Sequence, residues 1–529
     1  MTAKAGATQN ATLQALRLPL ESYPGLNRFA LDLVKGAGRA AGFLNRRPVE
    51  SMQPSGVSKP EALASALAES NRRWGNEAGS ELNAWKDGRT VSLVAGQQVC
   101  FAGGPLLILV KLASLLKIRE DLARRGVPAT VFFWMATEDH DFDEVASITV
   151  QTRTGRARLR AAGESSRQMV GPLPVDGGLR NSLIETLGIE PPRWLREGIS
   201  YGDSFAELLA EVLRDRGVVL VDSMLPELRR GGREFFLSIV ERMEQAERRV
   251  TDRSSEIRQA GYTPQVVPAE DGHYSFLYRV DEKGERQPIR MDQGEWKVGG
   301  RRSSRNEVLA MVEQEPERIS TGVLARPLLQ DRVLHTDLFL GGPAEVSYYA
   351  QLAPLHEMFG IAQPHAGLRG HLLAAPARTL RPVVDYGLGP EDLFRTPEEI
   401  IARLDPSLPE RMRAAIEASA GELERGLEGI LEAVLEADPQ LARSAGRRLG
   451  RIRYHLDRLS EQGERAAMRK DGERYNALVR LAETLHPDGA PQDRHVAWIT
   501  FWTQYGSHLV ERIVDEVEPD APVLKVVGL

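Results

Sequence analysis

Five acidic residues and one histidine fall within eight positions of this chain. Residues 137–144 read TEDHDFDE and directly follow the apolar run VFFWMA at 131–136. If that run is a buried strand, the cluster lies at the strand's carboxyl end, where open α/β sheets bind ligands. His140 could then serve as a general base, and the nearby carboxylates could hold Mg²⁺ or a substrate ammonium group. The carboxylates assigned to that role are Glu138, Asp139 and Asp141.

A solvated acidic loop is the alternative interpretation of this cluster, because runs of charge usually face water. The aromatic Phe142 and the embedded His140 argue against it.

Two glycine-rich turns each stand between an apolar run and a helix-like segment. Residues 96–105 read GQQVCFAGGP, and residues 341–345 read GGPAE. Glycine lets backbone N–H groups approach a ligand, and a helix start favours an anion such as phosphate or carboxylate. Neither turn matches the dinucleotide or P-loop fingerprint, so ordinary tight turns remain possible. The binding residues predicted here are Gly96, Gln97, Gln98, Gly103, Gly104, Pro105, Gly341, Gly342, Pro343 and Glu345.

Two further side chains could take part in chemistry. Arg326, beside a predicted helix start, could clamp a carboxylate or phosphate, although a structural salt bridge would explain it equally well. Cys100 is the single cysteine and invites a nucleophile interpretation. Its apolar neighbours Val99 and Phe101 favour instead a small, buried, packed side chain.

Short apolar runs alternate with helix-period segments from residue 91 onward, which is typical of βαβ units. The predicted strands are 91–96, 129–136, 218–222 and 336–340, and the predicted helices are 104–120, 225–244 and 343–359. Both faces of these strands are apolar, as in parallel sheets covered by helices. The sequence therefore predicts an α/β fold, with inserted subdomains near 151–202 and 254–306.

The remaining segments flank this core. We predict a helical lead-in over 1–85, a core over 86–390, a helical hairpin over 391–486 and a return to the core over 487–529, with a last helix near 498–514. Asp438-Pro439 separates the hairpin's two long helices, since proline suits a helix start and breaks a helix interior.

A leucine-rich stripe in the hairpin predicts a coiled coil. In its second helix the stripe is formed by Leu449, Ile452, Leu456 and Leu459, spaced 3, 4 and 3 residues apart. A hairpin folded back onto the core is the alternative, because amphipathic helices pack against any apolar surface.

Length and composition exclude several classes of protein. The 529 residues suggest three to four domains, and a net charge of −6 gives no general attraction to nucleic acid. A single cysteine forms no internal disulfide, which fits a reducing cytoplasmic setting. Residues 1–20 lack a signal-peptide pattern, and no apolar run approaches the roughly 20 residues that cross a bilayer. We therefore expect a cytoplasmic protein without a membrane span.

Several segments resemble the BshC family, the cysteine ligases of bacillithiol biosynthesis. They are GQQVCFAGGPLLILVK, VPATVFFWMATEDHDFDEV, TGVLARPLLQDRVLHTDLFLGGPAEVSYYAQLAPLHEMFGI and the tail PQDRHVAWITFWTQYG at 491–506. The resemblance runs from about residue 90 to the C-terminus. Cys100 departs from it, because the family usually has glycine there.

The resemblance implies a Rossmann-like core with two insertions, similar in plan to class I aminoacyl-tRNA synthetases. It also implies a coiled coil that forms a homodimer. The activity it implies joins the carboxylate of cysteine to the amine of glucosaminyl-malate. Because a carboxylate is a poor acylating agent, we expect activation by ATP or another nucleotide, with Mg²⁺ as a candidate ion. A metal-dependent hydrolase and a non-catalytic dimeric metabolite-binding scaffold are the alternatives.

Overall fold

The computed structural model describes residues 15–152, 155–162, 167–270, 272–292, 294–469 and 472–529. Residues 1–14 of the predicted lead-in, 153–154, 163–166, 271 and 293 of the predicted insertions, and 470–471 of the predicted hairpin lie outside these ranges. The chain forms two compact units. The larger is built from Ala15–Ala374 with Pro491–Val527, and the smaller from Ala375–Ala490.

The described secondary structure is mixed α and β. The strands are β1 Ala15–Pro19, β2 Val91–Gln98, β3 Ala129–Ala136, β4 Ser147–Gln151, β5 Arg156–Arg160, β6 Val218–Asp222, β7 Leu277–Val280, β8 Arg286–Asp292, β9 Glu295–Val298, β10 Arg301–Ser303, β11 Ile319–Thr321, β12 Leu338–Gly341, β13 His365–Leu368, β14 His371–Ala375 and β15 Val523–Gly528. The helices of the larger unit are α1 Arg28–Lys35, α2 Glu61–Arg73, α3 Gly79–Lys86, α4 Leu106–Ala123, α5 Phe142–Val145, α6 Gly177–Leu187, α7 Tyr201–Val212, α8 Pro226–Gly231, α9 Arg233–Glu241, α10 Met243–Gln259, α11 Arg305–Gln314, α12 Ala325–Leu334, α13 Pro343–Phe359 and, after the smaller unit, α19 Gln492–His495, α20 Ile499–Tyr505 and α21 Ser507–Glu516. Those of the smaller unit are α14 Arg381–Asp385, α15 Pro397–Leu404, α16 Ser407–Ala437, α17 Ala442–Met468 and α18 Gly472–Leu485.

A parallel sheet of order β13-β12-β2-β3-β6 forms the centre of the larger unit. Every neighbouring pair in it is parallel, and β2 pairs with β3 from Val91 opposite Ala129 to Gln98 opposite Ala136. The carboxyl ends of all these strands therefore lie at one edge. The predicted α/β class and the four predicted strands are confirmed, and β13 is a strand that the sequence pattern did not indicate.

Helix α4 packs against β2 and β3 and is buried on nearly every side. Its apolar side chains, among them Leu109, Leu112 and Leu116, belong to the core that also holds Phe133 of β3. Each such side chain contributes roughly 1.5–3 kcal/mol when it is fully buried. The core thus fixes the ends of β2 and β3, which are followed by the polar residues predicted to form the site.

Smaller sheets surround this core. An antiparallel sheet of order β10-β9-β8-β7-β11 occupies much of the predicted 254–306 insertion, and β4 pairs with β5 as an antiparallel hairpin. Strands β1, β15 and β14 form a third sheet. The start of β8 brings Arg286 to the central cavity.

Two segments that were each predicted to form one continuous helix are interrupted in the structure. The segment 225–244 is divided into α8, α9 and the start of α10, and the first break is at Gly232. This glycine packs closely against α12, because a Cβ on it would lie 2.5 Å from Leu329 Cδ1. The segment 498–514 is divided into α20 and α21 at Gly506, whose φ of 56° is left-handed and ends α20.

In the smaller unit α16 and α17 pack against each other, with a short turn containing Pro439 between them. The predicted pair of long helices is therefore confirmed. Several apolar side chains remain exposed on it, namely Leu423 (45%), Ile430 (59%), Ile452 (38%) and Leu459 (61%). The described helices of the chain include none whose length and apolar content would let it cross a membrane.

Candidate functional site

The carboxyl edge of the parallel sheet opens into a cavity of about 880 Å³. The ends of β2 and β3, the starts of α12 and α13, the segment that leads into β7, the start of β8, and residues between 494 and 497 all contribute to its walls. Predicted site residues that line it are Gly96, Gln97, Gln98, Pro105, Asp139, His140, Arg326, Gly342, Pro343 and Glu345. Chain segments far apart in sequence are thus brought to one place.

A buried lysine connects the two glycine-rich turns. The Lys111 ammonium group donates to the Gly96 carbonyl at 2.9 Å and to Gln97 Oε1 at 2.8 Å, and it pairs with Glu345 Oε2 at 2.6 Å. Burial lowers the pKa of Lys111, while the Glu345 carboxylate opposes that shift. Lys111 is not among the predicted site residues, and its one signal in the sequence is a lysine within the apolar run of α4.

Glu138 lies beneath the cavity and not on its wall. Its side chain is fully buried, as is that of Arg229, and the two groups approach to 3.5 Å. Arg326 Nε donates to Glu138 Oε1 at 2.9 Å, and Ser223 also contacts this carboxylate. Glu138 therefore holds Arg326 in place and is not positioned to bind a ligand itself.

Asp139 faces the cavity and pairs with the same arginine. Arg326 Nη2 donates to Asp139 Oδ2 at 3.1 Å. Burial alone would raise the pKa of Asp139, but the charges of Arg326 and Arg286 and the hydrogen bonds to the carboxylate together outweigh it and keep that pKa well below its usual range. Asp139 is consequently a carboxylate at any physiological pH.

His140 is held by an arginine from the antiparallel sheet. Arg286 Nη1 lies 2.9 Å from His140 Nδ1, Arg286 Nη2 donates to the Thr321 carbonyl, and the guanidinium stands 4.0 Å from the Tyr278 ring centroid. Burial and the Arg286 charge both lower the pKa of His140, so its imidazole is neutral at pH 7.

Asp141 lies outside the cavity wall, whereas Glu144 belongs to it. Asp141 is the N-cap of α5, and its side chain accepts a hydrogen bond from the Glu144 backbone N–H at 3.3 Å. Partial burial, followed by the Asp141 charge, raises the pKa of Glu144. Glu144 was counted among the five acids in the sequence but was not selected as a site residue.

Gly103 and Gly104 do not reach the cavity wall. Trp498 covers the turn and donates from Nε1 to the Gly103 carbonyl at 2.8 Å. A Cβ on Gly103 would lie 2.2 Å from Trp498 Cζ2, and one on Gly104 would lie 2.6 Å from Cys100 Cβ. The first free N–H of α4, that of Leu106, donates to the Val496 carbonyl. These glycines permit close packing, so the anion-binding role predicted for them has no geometric support.

At the glycine-rich turn 341–345, a side chain of α13 itself caps the start of that helix. The Gly342 N–H donates to Glu345 Oε2 at 2.6 Å, which forms a capping interaction. Gly341 belongs to β12, and a Cβ on it would crowd Phe339 at 2.7 Å. Gly342, Pro343 and Glu345 line the cavity, and Gly341 does not.

A second buried arginine forms part of the wall and was missed in the sequence. Arg369 follows β13 and is 2% exposed. It pairs with the fully buried Asp493 at 2.9 Å, and Asp493 also accepts a hydrogen bond from the Tyr23 hydroxyl. The neighbouring Arg494 lines the cavity too. No local pattern indicates Arg369, because its partners come from both ends of the chain.

The predicted Mg²⁺ site does not take shape around the acidic cluster. Among the described residues, no three side chains of histidine, cysteine, aspartate or glutamate come together as a metal-binding group. Glu138 and Asp139 are instead neutralised by Arg229 and Arg326. Arginine pairing takes the lone pairs that a cation would need, so we derive no step through a metal.

Cys100 is buried, as the sequence predicted. Burial, followed by the Glu144 charge, raises the pKa of its thiol to about 12. The reactive thiolate is therefore scarce at pH 7, which removes the basis for a nucleophile role.

Comparison with known proteins covers nearly the whole chain. The family model for the BshC N-terminal Rossmann-like domain of bacillithiol biosynthesis matches residues 44–370, and that for the BshC C-terminal coiled-coil domain matches residues 375–529. A protein of Solibacter usitatus named "Putative cysteine ligase BshC" is 29% identical over 94% of this chain and 96% of its own length. Relatives of the same name in Koribacter versatilis (29% identical, 88% of this chain and 90% of theirs) and Bacillus cytotoxicus (25%, 86% and 88%) agree.

A solved structure of Mycobacterium tuberculosis methionyl-tRNA synthetase bound by methionyl-adenylate is 12% identical, covering 81% of this chain and 92% of that one, with a TM-score of 0.23. A likeness this loose carries no information about the site. The two domain matches establish the family, because together they span residues 44–529 with a gap of only four residues. The chain belongs to the BshC family of bacillithiol biosynthesis.

Proposed function

We propose that this protein is a ligase that joins the carboxylate of cysteine to the amine of glucosaminyl-malate, the last step of bacillithiol biosynthesis. Family membership and the shared name of its relatives support the reaction class. The observation that carries the proposal is the charge of the cavity. Among the described residues that line it, six are lysine or arginine and three are acidic: Lys111, Arg158, Arg286, Arg326, Arg369 and Arg494 against Asp139, Glu144 and Glu345.

An excess of positive charge in a partly enclosed cavity attracts carboxylates and phosphates. Both proposed substrates carry carboxylates, and a nucleotide carries phosphates. The volume of about 880 Å³ lies near the upper end of the range for small-molecule sites, which suits more than one ligand. A single small anion would leave most of this space unused.

The cysteine carboxylate must be activated before an amine can attack it. ATP or another nucleotide would supply this activation when bound, as an acyl-adenylate or acyl-phosphate. The chain's own contribution is to hold the reactants close together, which removes much of the entropic barrier. Gln97 and Gln98 at the end of β2, and Gly342 and Pro343 at the start of α13, line the cavity and would contact them.

The acidic cluster divides into groups that face the reactants and groups that support them. Asp139 and His140 line the cavity and are proposed to contact the reacting groups. Arg326, fixed by Glu138 and Asp139, would bind a carboxylate or phosphate oxygen. Asp141 caps α5 and so positions Glu144.

The experiment is direct reconstitution. Purified protein is incubated with cysteine, glucosaminyl-malate and ATP with Mg²⁺, and mass spectrometry follows both the amide and the nucleotide product. The proposal expects amide formation that depends on all three reactants. Nucleotide hydrolysis without amide would favour the hydrolase alternative, and ligand binding without turnover would favour the scaffold.

We also propose that the protein is a cytoplasmic homodimer that associates through the hairpin of α16 and α17. The exposed apolar side chains Leu423, Ile430, Ile452 and Leu459 support this contact, because a partner helix would remove them from water. A cytoplasmic location is consistent with the proposed reaction, because the cytoplasm contains both ATP and free cysteine.

A further inference from the structure

Ligation requires a group that takes a proton from the attacking amine, and three side chains of the acidic cluster face the cavity where this could happen. They are Asp139, His140 and Glu144. The surroundings of the three differ sharply, and those differences decide between them. The role of a proton acceptor here rests on the proposed function.

His140 offers no free lone pair in this arrangement. A guanidinium has only donors, so at 2.9 Å from Arg286 Nη1 the His140 Nδ1 atom must accept. In a neutral imidazole the proton then resides on Nε2. Arg286 is itself buried and fixed by the Thr321 carbonyl and the Tyr278 ring, so it has little freedom to move away. His140 therefore presents an N–H donor, and not a base, through its remaining nitrogen.

Asp139 is equally unsuited to accept the proton. Arg326 binds one of its oxygens at 3.1 Å, and the other accepts from the His140 and Asp141 backbone N–H groups at 2.8 and 3.3 Å. A carboxylate with both oxygens engaged is a weak base.

We propose that Glu144 is the proton acceptor for the attacking amine and that His140 donates a hydrogen bond from Nε2–H to the oxygen that gains negative charge. Glu144 lines the cavity, no ion pair to it is found among the described residues, and its carboxylate accepts a hydrogen bond from the uncharged side chain of Gln98. The charged and titratable groups around it are Asp139, Asp141, Lys111 and Cys100. This assignment replaces the general-base role that the sequence pattern suggested for His140.

The step balances as an acyl transfer from a nucleotide-activated cysteine. The amine nitrogen forms a bond to the carbonyl carbon and gives one N–H proton to the Glu144 carboxylate. The bond from that carbon to the phosphate oxygen breaks, and its electron pair leaves on the oxygen. The carbonyl oxygen is negatively charged between these events, when the His140 N–H would stabilise it.

The test separates activation from amine attack in the full-length protein. Glu144→Gln keeps the shape of the side chain but cannot take a proton. Cysteine-dependent exchange of labelled pyrophosphate or ADP into ATP reports activation alone, and amide formation reports the whole reaction. We expect Glu144→Gln to keep the exchange and to lower the amide-forming kcat by about 10²- to 10⁴-fold. Asp143→Asn, in the same segment but outside the cavity wall, is the matched control and should behave as wild type.

His140 is tested by two substitutions and one spectroscopic measurement. A glutamine amide can place a donor near the Nε2 position but cannot accept a proton, so His140→Gln should keep more amide formation than His140→Ala. Nitrogen NMR of imidazole-labelled protein without ligands should show the proton on Nε2 of His140. This last readout depends only on the Arg286 contact and not on the reaction.

The proposal is overturned if Glu144→Gln forms amide as fast as Asp143→Asn, or if the His140 proton resides on Nδ1. If wild-type protein itself forms no amide, the proposed function fails and the role of Glu144 falls with it. The NMR result would still report whether Arg286 fixes the imidazole, so the two failures are distinguishable.

Discussion

At the scale of single residues, charge compensation distinguishes the supporting groups from the reacting ones. Glu138 is fully buried between Arg229 and Arg326, whereas Glu144 meets the cavity without an ion pair among the described residues. Two acids six positions apart in one sequence motif thus have opposite surroundings. A buried and paired carboxylate supports the structure around it, whereas an exposed carboxylate without an ion pair can exchange a proton.

The buried Glu138 network has a measurable effect on stability. Glu138→Gln leaves the buried Arg229 and the partly exposed Arg326 with one compensating charge fewer, and breaking a buried pair costs about 3–5 kcal/mol. We expect a loss of that size in the free energy of unfolding from chemical denaturation. Asp143→Asn removes an exposed pair with Arg160 and should cost less than about 1 kcal/mol. Equal effects of the two substitutions would show that the Glu138 network does not stabilise the fold.

At the scale of elements, the turn between β2 and α4 is closed by the C-terminal segment that follows α19. Trp498 lies over Gly103, whose φ is 80°, so this glycine satisfies both a left-handed backbone and a close ring contact. Gly126 has nearly the same φ, 77°, but nothing lies within 4 Å of a Cβ placed on it. Alanine at Gly126 would therefore introduce backbone strain alone, whereas alanine at Gly103 would introduce both strain and a steric clash.

Gly103→Ala should therefore destabilise the protein more than Gly126→Ala. A left-handed non-glycine residue costs about 1–2 kcal/mol at either position, and at Gly103 the displaced Trp498 ring adds an overpacking cost of about 1–3 kcal/mol. Thermal unfolding of the two variants side by side measures the difference. If Gly103→Ala were no less stable than Gly126→Ala, Trp498 would not be packed on this turn.

The helical hairpin gives a prediction about assembly. Ile452→Glu combined with Leu456→Glu places two charges in the stripe of α17, and burying them in a helix–helix contact is costly. Light scattering should report a dimer for the wild type and a monomer for this variant. Tyr454→Glu, exposed and off the stripe, is the control and should leave the dimer intact. A double variant that stays folded and dimeric would place the contact elsewhere.

At the scale of the whole molecule, local patterns and distant contacts were not equally predictable. The strands 91–96 and 129–136 were predictable because each apolar run carries its own signal. The cluster after β3 was also placed correctly at the carboxyl edge of the sheet. The roles of the residues in this cluster were not predictable, because Arg286, which contacts His140, is 146 positions away in the sequence. The contact of Trp498 with Gly103 likewise joins residues 395 positions apart. No spacing rule in the sequence reports such pairs.

Ligation is proposed to take place in the cavity at the sheet's carboxyl edge. The most direct measurement is the rate of amide formation, followed by mass spectrometry at limiting glucosaminyl-malate, for wild type, Arg494→Met and Arg230→Met. Arg494 lines the cavity, and Arg230 is an exposed arginine outside its wall. Loss of one charged hydrogen bond, about 1.5–3 kcal/mol, predicts a rate lowered by about ten- to a hundredfold for Arg494→Met only. No amide from the wild type would contradict the proposed ligation, and equal rates for all three proteins would contradict its location in this cavity.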